Sequence, residues 1–401
     1  MKAILIMVGT ELLNGGTIDT NSIFIGEELN KYGIEIESKI IVRDFEDEII
    51  KALNYAQKNA QLIIVSGGMG PTLDDITKEC IAKFLNKPLI IDEVEKNELI
   101  EKFRKVSINF NPINLKEVEK PEGSISFKNE VGMANGIFIE NIAVFPGVPK
   151  ELYHLLPKFL KWYKTNYIKD SDEIYIKDLI TVGIPESYLE ERVKKYFTEK
   201  EVYYEFLVKD YGILIRLQSK LSNKKTVEKI VENLYNELGN NIYGEDGERL
   251  ETLLIDKLKE LKMDISVAES CSGGLLSSRI VSIPGASEVF KEGLITYSNA
   301  SKVKNLKVKE STLIKFGAVS PETAREMVEG LTTDVAISIT GIAGPDGGTE
   351  EKPVGLVYIG IKVKKEIVII RNVFRGNRDR IREKAVIQAL FESIKFLKKA
   401  E

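Results

Sequence analysis

The sequence predicts an α/β protein in three parts: a doubly wound domain over residues 1–168, a small α+β module over 169–246, and a second α/β domain over 247–401. Three observations carry this. Apolar strand-like runs alternate with helical patterns through about residue 165, which implies a parallel sheet covered on both faces. The pattern then changes to two strands that turn back on each other beside an amphipathic helix. Beyond residue 247, four polar loops each follow a strand-like run, the densest being A-E-S-C-S-G-G at 268–274.

In the first part, residues 3–8 form a continuous apolar strand and 21–32 a helix introduced by Asp19-Thr20-Asn21 and stopped by Gly33. Residues 34–42 alternate as a strand, 47–58 are helical, 62–65 are a buried strand and 75–85 are helical. In such sheets ligands bind at the carboxyl ends of the strands. Two loops occupy that position, one from Gly9 through Glu11 to Gly15, the other S-G-G-M-G-P-T-L-D-D over 66–75. Glycines let the backbone approach a phosphate closely, and a helix N-terminus favours an anion. Asp74 and Asp75 either stabilise the helix start or hold Mg²⁺ against a phosphate. Adjacent helical residues face different ways, so one Asp is expected to face the site and the other to cap.

In the middle part, residues 173–182 read as a strand, 186–197 as a helix, 202–208 and 213–219 as strands turning at 209–212, and 223–238 as an amphipathic helix. Lys224, Lys225 and Lys229 fit a solvated helix face, and no reactive cluster is present.

In the last part, a helix over 248–261 precedes a strand at 264–267, the serine loop, and a helix over 275–283. A strand at 293–297 follows, then a helix opened by Ser320-Pro321 and a buried strand at 335–339. Residues 354–363 and 366–374 pair as strands, and 375–380 open a long terminal helix. Convergence of the loops at 268–274, 297–302, 340–348 and 375–380 would gather hydroxyls, a lysine, a tyrosine and an arginine.

Composition narrows the chemistry. The 401 residues are 43% hydrophobic with a net charge of −4, so no strong basic field exists for nucleic acid. No apolar run reaches membrane-spanning length, and two cysteines, Cys80 and Cys271, make neither a disulfide framework nor a thiolate metal site. A cytoplasmic location is expected. The single histidine, His154, falls in a helical pattern over 150–162, which argues against Ser-His-Asp and Cys-His catalysis. A serine hydroxyl can instead use a desolvated lysine as base, with tyrosine as proton relay and the Gly273 and Gly274 N–H groups as oxyanion donors. Arg378 can hold a phosphate. Cys271 is a rival nucleophile, since a helix N-terminus lowers a thiol pKa.

V-G-T-E-L-L-N-G-G-T-I-D-T-N at 8–21, S-G-G-M-G-P-T-L-D-D-I-T at 66–77 and F-P-G-V-P-K-E at 145–151 resemble the molybdopterin-binding-like domain of the CinA family. Free-standing relatives bind molybdopterin. Within the family, the resemblance implies hydrolysis of ADP-ribose to AMP and ribose 5-phosphate, with Mg²⁺ or another divalent metal on Asp74 and Asp75 and K⁺ as a further candidate ion. It places Glu11, Asn21, Gly67, Gly68, Gly70 and Thr72 at the substrate. The middle part resembles the small linking domain of long members.

A-E-S-C-S-G-G, P-G-A-S, Y-S-N-A-S-K, G-A-V-S-P-E, T-G-I-A-G-P-D-G-G and G-N-R resemble the C-terminal domain of the same family, which is similar to nicotinamide mononucleotide deamidase. The resemblance implies Ser270 as nucleophile, Lys302 with Tyr297 as base system, and Ser287 as a second active-site serine. Gly273, Gly274, Asn299, Thr340, Gly341 and Arg378 would contact substrate. Ser272, Ala286 and Asn377 stand where Thr, Ser and Asp are common, and the last removes a charge beside Arg378. The expectation is a homodimeric, bifunctional hydrolase of pyridine-nucleotide breakdown products that engages neither nucleic acid nor membrane. The rivals are a molybdopterin-binding first domain and a non-catalytic competence or recombination partner.

Overall fold

The structure, a computed structural model, describes residues 1–168, 174–209 and 211–399. It forms two compact units, Met1–Tyr175 with Ser219–Lys224, and Ile176–Gln218 with Lys225–Glu401.

The first unit runs β1 (Lys2–Val8), α1 (Thr10–Leu13), α2 (Asn21–Lys31), β2 (Glu35–Val42), α3 (Glu46–Asn59), β3 (Leu62–Ser66), α4 (Thr77–Phe84), β4 (Leu89–Ile91) and α5 (Glu93–Lys105). It continues through β5 (Glu119–Pro121), β6 (Ile125–Phe127), β7 (Gly136–Ile139), β8 (Ile142–Phe145) and α6 (Pro149–Tyr167). The main sheet has the order β2-β1-β3-β8-β7-β6. Its first four strands are parallel, whereas β7 and β6 add an antiparallel edge. Ile4, Leu5 and Ile6 in the central β1 have no exposure, which explains its unbroken apolar run. One face packs on Ile49, Leu53 and Ile81 of α3 and α4, the other on Ile25, Leu29 and Phe159 of α2 and α6. Helices therefore cover both faces, as the sequence predicts. The helix expected from Asp75 begins at Thr77 instead.

The middle of the chain runs β9 (Ile174–Thr181), α7 (Glu186–Val193), β10 (Tyr203–Lys209), β11 (Gly212–Lys220), α8 (Lys224–Leu238) and β12 (Ile242–Glu245), its strands forming a sheet of order β10-β11-β9-β12. Glu173 of the expected first strand and Asp210 of the expected turn lie outside the described residues. Val227, Ile230, Leu234 and Leu238 form the buried stripe of α8.

The remainder is α9 (Leu250–Leu261), β13 (Ile265–Glu269), α10 (Leu275–Val281), β14 (Phe290–Ile295), α11 (Asn299–Leu306), α12 (Glu310–Phe316), α13 (Pro321–Glu329), β15 (Val335–Gly341), β16 (Leu356–Val363), β17 (Glu366–Val373) and α14 (Arg378–Lys399). The sheet order is β14-β13-β15-β16-β17. The first three strands are parallel, and β16 and β17 each pair antiparallel with the preceding strand. Hence β17 runs with β15, and the loops after β13, β14, β15 and β17 all open on one edge. Ile180, Val182 and Tyr243 share the core of this domain, with the Tyr243 ring edge-on to Phe391. Among the described residues, no helix is long and apolar enough to cross a membrane.

Candidate active sites

At the open edge of the last sheet, β13 delivers Ser270. The Ser270 N–H donates to Ile339 O of β15 at 2.9 Å, which pins the loop to the neighbouring strand. Glu269, with no solvent exposure, turns its carboxylate into the start of α10. It accepts from the N–H groups of Gly274 (3.0 Å), Leu276 (3.0 Å) and Ser277 (2.8 Å), and from Ser277 Oγ (2.6 Å). These are the donors that a helix start leaves open. The positive helix end that the sequence offers to a substrate anion is therefore already answered by Glu269.

The expected oxyanion donors change accordingly. The Gly274 N–H belongs to Glu269, and the Gly273 N–H donates to Ser270 O at 3.2 Å. Among the described residues, no other residue accepts from the N–H groups of Cys271 and Ser272, which lie directly after the serine.

Lys302 comes from α11, whose start is capped by Ser298 Oγ accepting from the Ser301 N–H. The side chain has no exposure. Its Nζ donates to Ser270 Oγ at 3.0 Å, to Thr296 O at 2.7 Å and to Tyr297 O at 3.2 Å. None of these acceptors is a carboxylate, and burial lowers the ammonium to about 8. Burial acts in the opposite sense on the Cys271 thiol, pushing it up to about 11.

Tyr297 meets Lys302 through its carbonyl, not its hydroxyl. Strand β14 ends at Ile295, so the Tyr297 ring sits beyond the sheet, 63% exposed. Its hydroxyl accepts from Arg378 Nη2 at 3.3 Å, and Arg378 Nη1 donates to Gly344 O at 2.7 Å. One turn further along α14, Arg382 donates to Ser272 O at 3.0 Å and to Asp379 at 3.2 Å. Sequence reasoning omits Arg382; its spacing of four residues from Arg378 is the signal that places both on one helix face.

Ser287 is not brought to this edge. It lies in the turn Ala286–Glu288 that leads into β14. Because β14 runs parallel to β13, with Ile265 opposite Phe290 and Glu269 opposite Ile295, Ser287 is at the other end of the sheet from Ser270. A strand of this length separates them by about 15 Å. Asn299 is exposed at the start of α11. The Thr340 hydroxyl is spent on Ala318 O at 2.7 Å. A Cβ on Gly341 would lie 2.6 Å from Val357 Cγ2, so both residues shape the strand end.

In the first unit, the glycine loop borders a cleft of about 600 Å³ that Glu11, Gly67, Gly68, Gly70, Asp74 and Asp75 help to line. Gly67 has φ 110°, and a Cβ there would lie 2.1 Å from Val8 O. Only glycine lets the loop cross the end of β1. Neither Asp caps α4. Thr72 Oγ1 lies 2.5 Å from both Asp74 Oδ1 and Asp75 Oδ2, so its single proton is shared between the two carboxylates, and the Thr72 N–H donates to Asp75 at 3.0 Å. The Thr72 hydroxyl holds the Asp74 carboxyl below its usual range. This loop, rather than a longer α4, fixes the two carboxylates together.

Among the described residues no group of three or more His, Cys, Asp or Glu side chains forms a metal cluster. A two-carboxylate pair nevertheless suits Mg²⁺, which binds one or two carboxylates and completes its shell with water and phosphate oxygens. Asn21 donates to Gly147 O at 2.7 Å and to Ser66 Oγ at 3.3 Å beside a small adjoining cavity that Glu11 also lines. Asp44, Glu117 and Glu151 line the main cleft too, and sequence reasoning names none of them as a site residue. For Glu151, the signal was its place at the end of the F-P-G-V-P-K-E string.

Family models match the chain almost throughout. Residues 4–165 match "Probable molybdopterin binding domain", 177–244 match "Damage-inducible protein CinA KH domain", and 247–397 match "CinA C-terminal domain". Fold and matches together define a three-part α/β protein with a molybdopterin-binding-like first domain and a KH-like middle domain. A CinA-like protein of Fusobacterium nucleatum is 57% identical over 402 residues, covering 100% of this chain and 99% of that protein. A CinA-like protein of Kosmotoga olearia is 38% identical, covering 97% of each. The chain belongs to the CinA family. A solved structure described as CinA of unknown function from Thermoplasma acidophilum is 36% identical over 40% of this chain and 96% of its own, with a TM-score of 0.37.

Proposed function

We propose that the last domain is an amidohydrolase that converts nicotinamide mononucleotide and water to nicotinate mononucleotide and ammonia. The observation that carries this reading is the 3.0 Å contact between the buried Lys302 Nζ and Ser270 Oγ. In its neutral form Lys302 takes the Ser270 proton while Oγ bonds to the carboxamide carbon. The oxyanion is assigned to N–H groups of the serine loop, those of Cys271 and Ser272, because no other described residue accepts from them. The carbon–nitrogen bond then breaks, and Lys302 returns the proton to the departing ammonia. Water, deprotonated by the same amine, splits the resulting ester and frees Ser270. Arg378, with Arg382 beside it, supplies guanidinium groups for the substrate phosphate.

The first domain is proposed to hydrolyse ADP-ribose to AMP and ribose 5-phosphate. Asp74 and Asp75 would hold a divalent ion, which supplies charge neutralisation on the pyrophosphate when bound. The glycine loop lets backbone approach the phosphates. Both domains are tested on the intact chain: nicotinamide mononucleotide should yield ammonia without added metal, and ADP-ribose should yield AMP with Mg²⁺. Failure of either product to form removes the reading of that domain.

A further inference from the structure

Glu151 sits in the first turn of α6 and lines the 600 Å³ cleft together with Asp74 and Asp75. It does not act as a helix cap, because among the described residues no N–H of α6 donates to it. Its Oε2 instead accepts from Asn129 Nδ2 at 2.6 Å. Asn129 has no exposure and is itself held from several directions. Its Nδ2 also donates to Ala134 O at 2.8 Å, and its Oδ1 accepts from the N–H groups of Val131 at 3.0 Å and Gly132 at 2.9 Å. Lys102 of α5 clasps the same loop, donating to Asn129 O at 2.6 Å and Gly132 O at 2.9 Å. At position 132 a Cβ would lie 2.1 Å from the Glu151 carboxyl carbon, so glycine is what lets the loop close over this carboxylate.

The result is a carboxylate with one oxygen anchored and the other, Oε1, without a protein donor among the described residues. Burial raises it above the usual glutamate range; Lys102 opposes that shift, Glu117 is its acidic neighbour, and Glu11, Asp44, Asp74 and Asp75 line the same cleft. A carboxylate so fixed, in a cleft with a phosphate-suited loop, has the features of a proton acceptor.

Resting on the reading of this domain as an ADP-ribose hydrolase, we infer that Glu151 is its general base. Oε1 takes a proton from water as the water oxygen bonds to phosphorus. The bridging P–O bond breaks, the leaving phosphate keeps the electron pair, and Glu151 then releases its proton to solvent. Asn129 and Gly132 are positioning residues.

The test compares the full-length wild type with Glu151→Gln, which preserves shape and the Asn129 contact. AMP formation with Mg²⁺ should fall about 100-fold or more in kcat. ADP-ribose binding, read by calorimetry, and the melting temperature should stay at wild-type values. The wild-type rate should be lost at acid pH through one ionisation above the ordinary carboxylate range, and this limb should vanish from the residual rate of the variant. An unchanged kcat overturns the assignment. So does joint loss of activity and binding, which marks a structural role. If the wild type forms no AMP, the reading of the domain falls and the base falls with it.

Discussion

Lys302 Nζ lies 3.0 Å from Ser270 Oγ, and the lysine that carries it has no exposed surface. A hydroxyl and two carbonyls accept from the ammonium, so polar contacts hold the head group while, among the described residues, no carboxylate accepts from it. Desolvation then decides the balance and lowers the group to about 8 from the ordinary 10.5.

The neutral amine is the base, so amidase activity should rise as pH increases through about 8 and fall away below it. Lys302→Met should lose about 100-fold to 10,000-fold in ammonia release, the range for removal of a positioned base. Stability has the same sign. Between about 8 and 10.5 the unfolded lysine keeps a proton that the folded one has shed, so wild-type stability should rise with pH relative to Lys302→Met. Denaturant titrations of both proteins across that window check it.

Cys271 should be dispensable. Burial holds its thiol up at about 11, far from the thiolate that a nucleophile needs. Cys271→Ala should keep ammonia release within about threefold of wild type, a packing change rather than loss of a catalytic group. Alkylation of the native protein should be slow at this residue, as peptide mass mapping would show.

The parallel, doubly covered sheet of the first domain was legible because buried parallel strands write continuous apolar runs, as in β1, whereas the order of the strands was not. Ser270 and Lys302 were legible from family-like strings, although they stand 32 residues apart. What stayed hidden was set by hydrogen bonds between elements. No spacing rule reveals that Glu269 occupies the N–H groups of α10, or that Thr72 holds Asp74 and Asp75 together in the loop ahead of α4. The direction of Tyr297 depended on β14 stopping at Ile295. The position of Ser287 depended on which end of β14 it precedes, which the family-like string P-G-A-S does not encode.

Tyr297→Phe should therefore leave the rate constant for ammonia release largely intact. Its hydroxyl is bonded to Arg378, not to Lys302, and the carbonyl that Lys302 uses survives the change. The effect should appear in KM for nicotinamide mononucleotide, and Arg378→Ala should raise that KM further. Both variants should discriminate less between nicotinamide mononucleotide and its dephosphorylated riboside.

Glu269→Ala should destabilise the protein by about 2–4 kcal/mol, since it strands N–H groups of Gly274, Leu276 and Ser277 at a buried turn. Glu269→Gln keeps one acceptor oxygen and should cost less. Urea titrations of the three proteins measure the difference.

Asp74→Asn and Asp75→Asn should each reduce AMP formation and raise the Mg²⁺ concentration needed for half-maximal rate, while leaving ammonia release unchanged. Gly67→Ala should abolish AMP formation, because its Cβ would meet Val8 O at 2.1 Å.

Ammonia release from nicotinamide mononucleotide by Ser270→Ala beside wild type decides whether this hydroxyl is the nucleophile. The variant should lose about 1,000-fold or more with its fold intact by circular dichroism. A variant that releases ammonia at the wild-type rate would contradict that role.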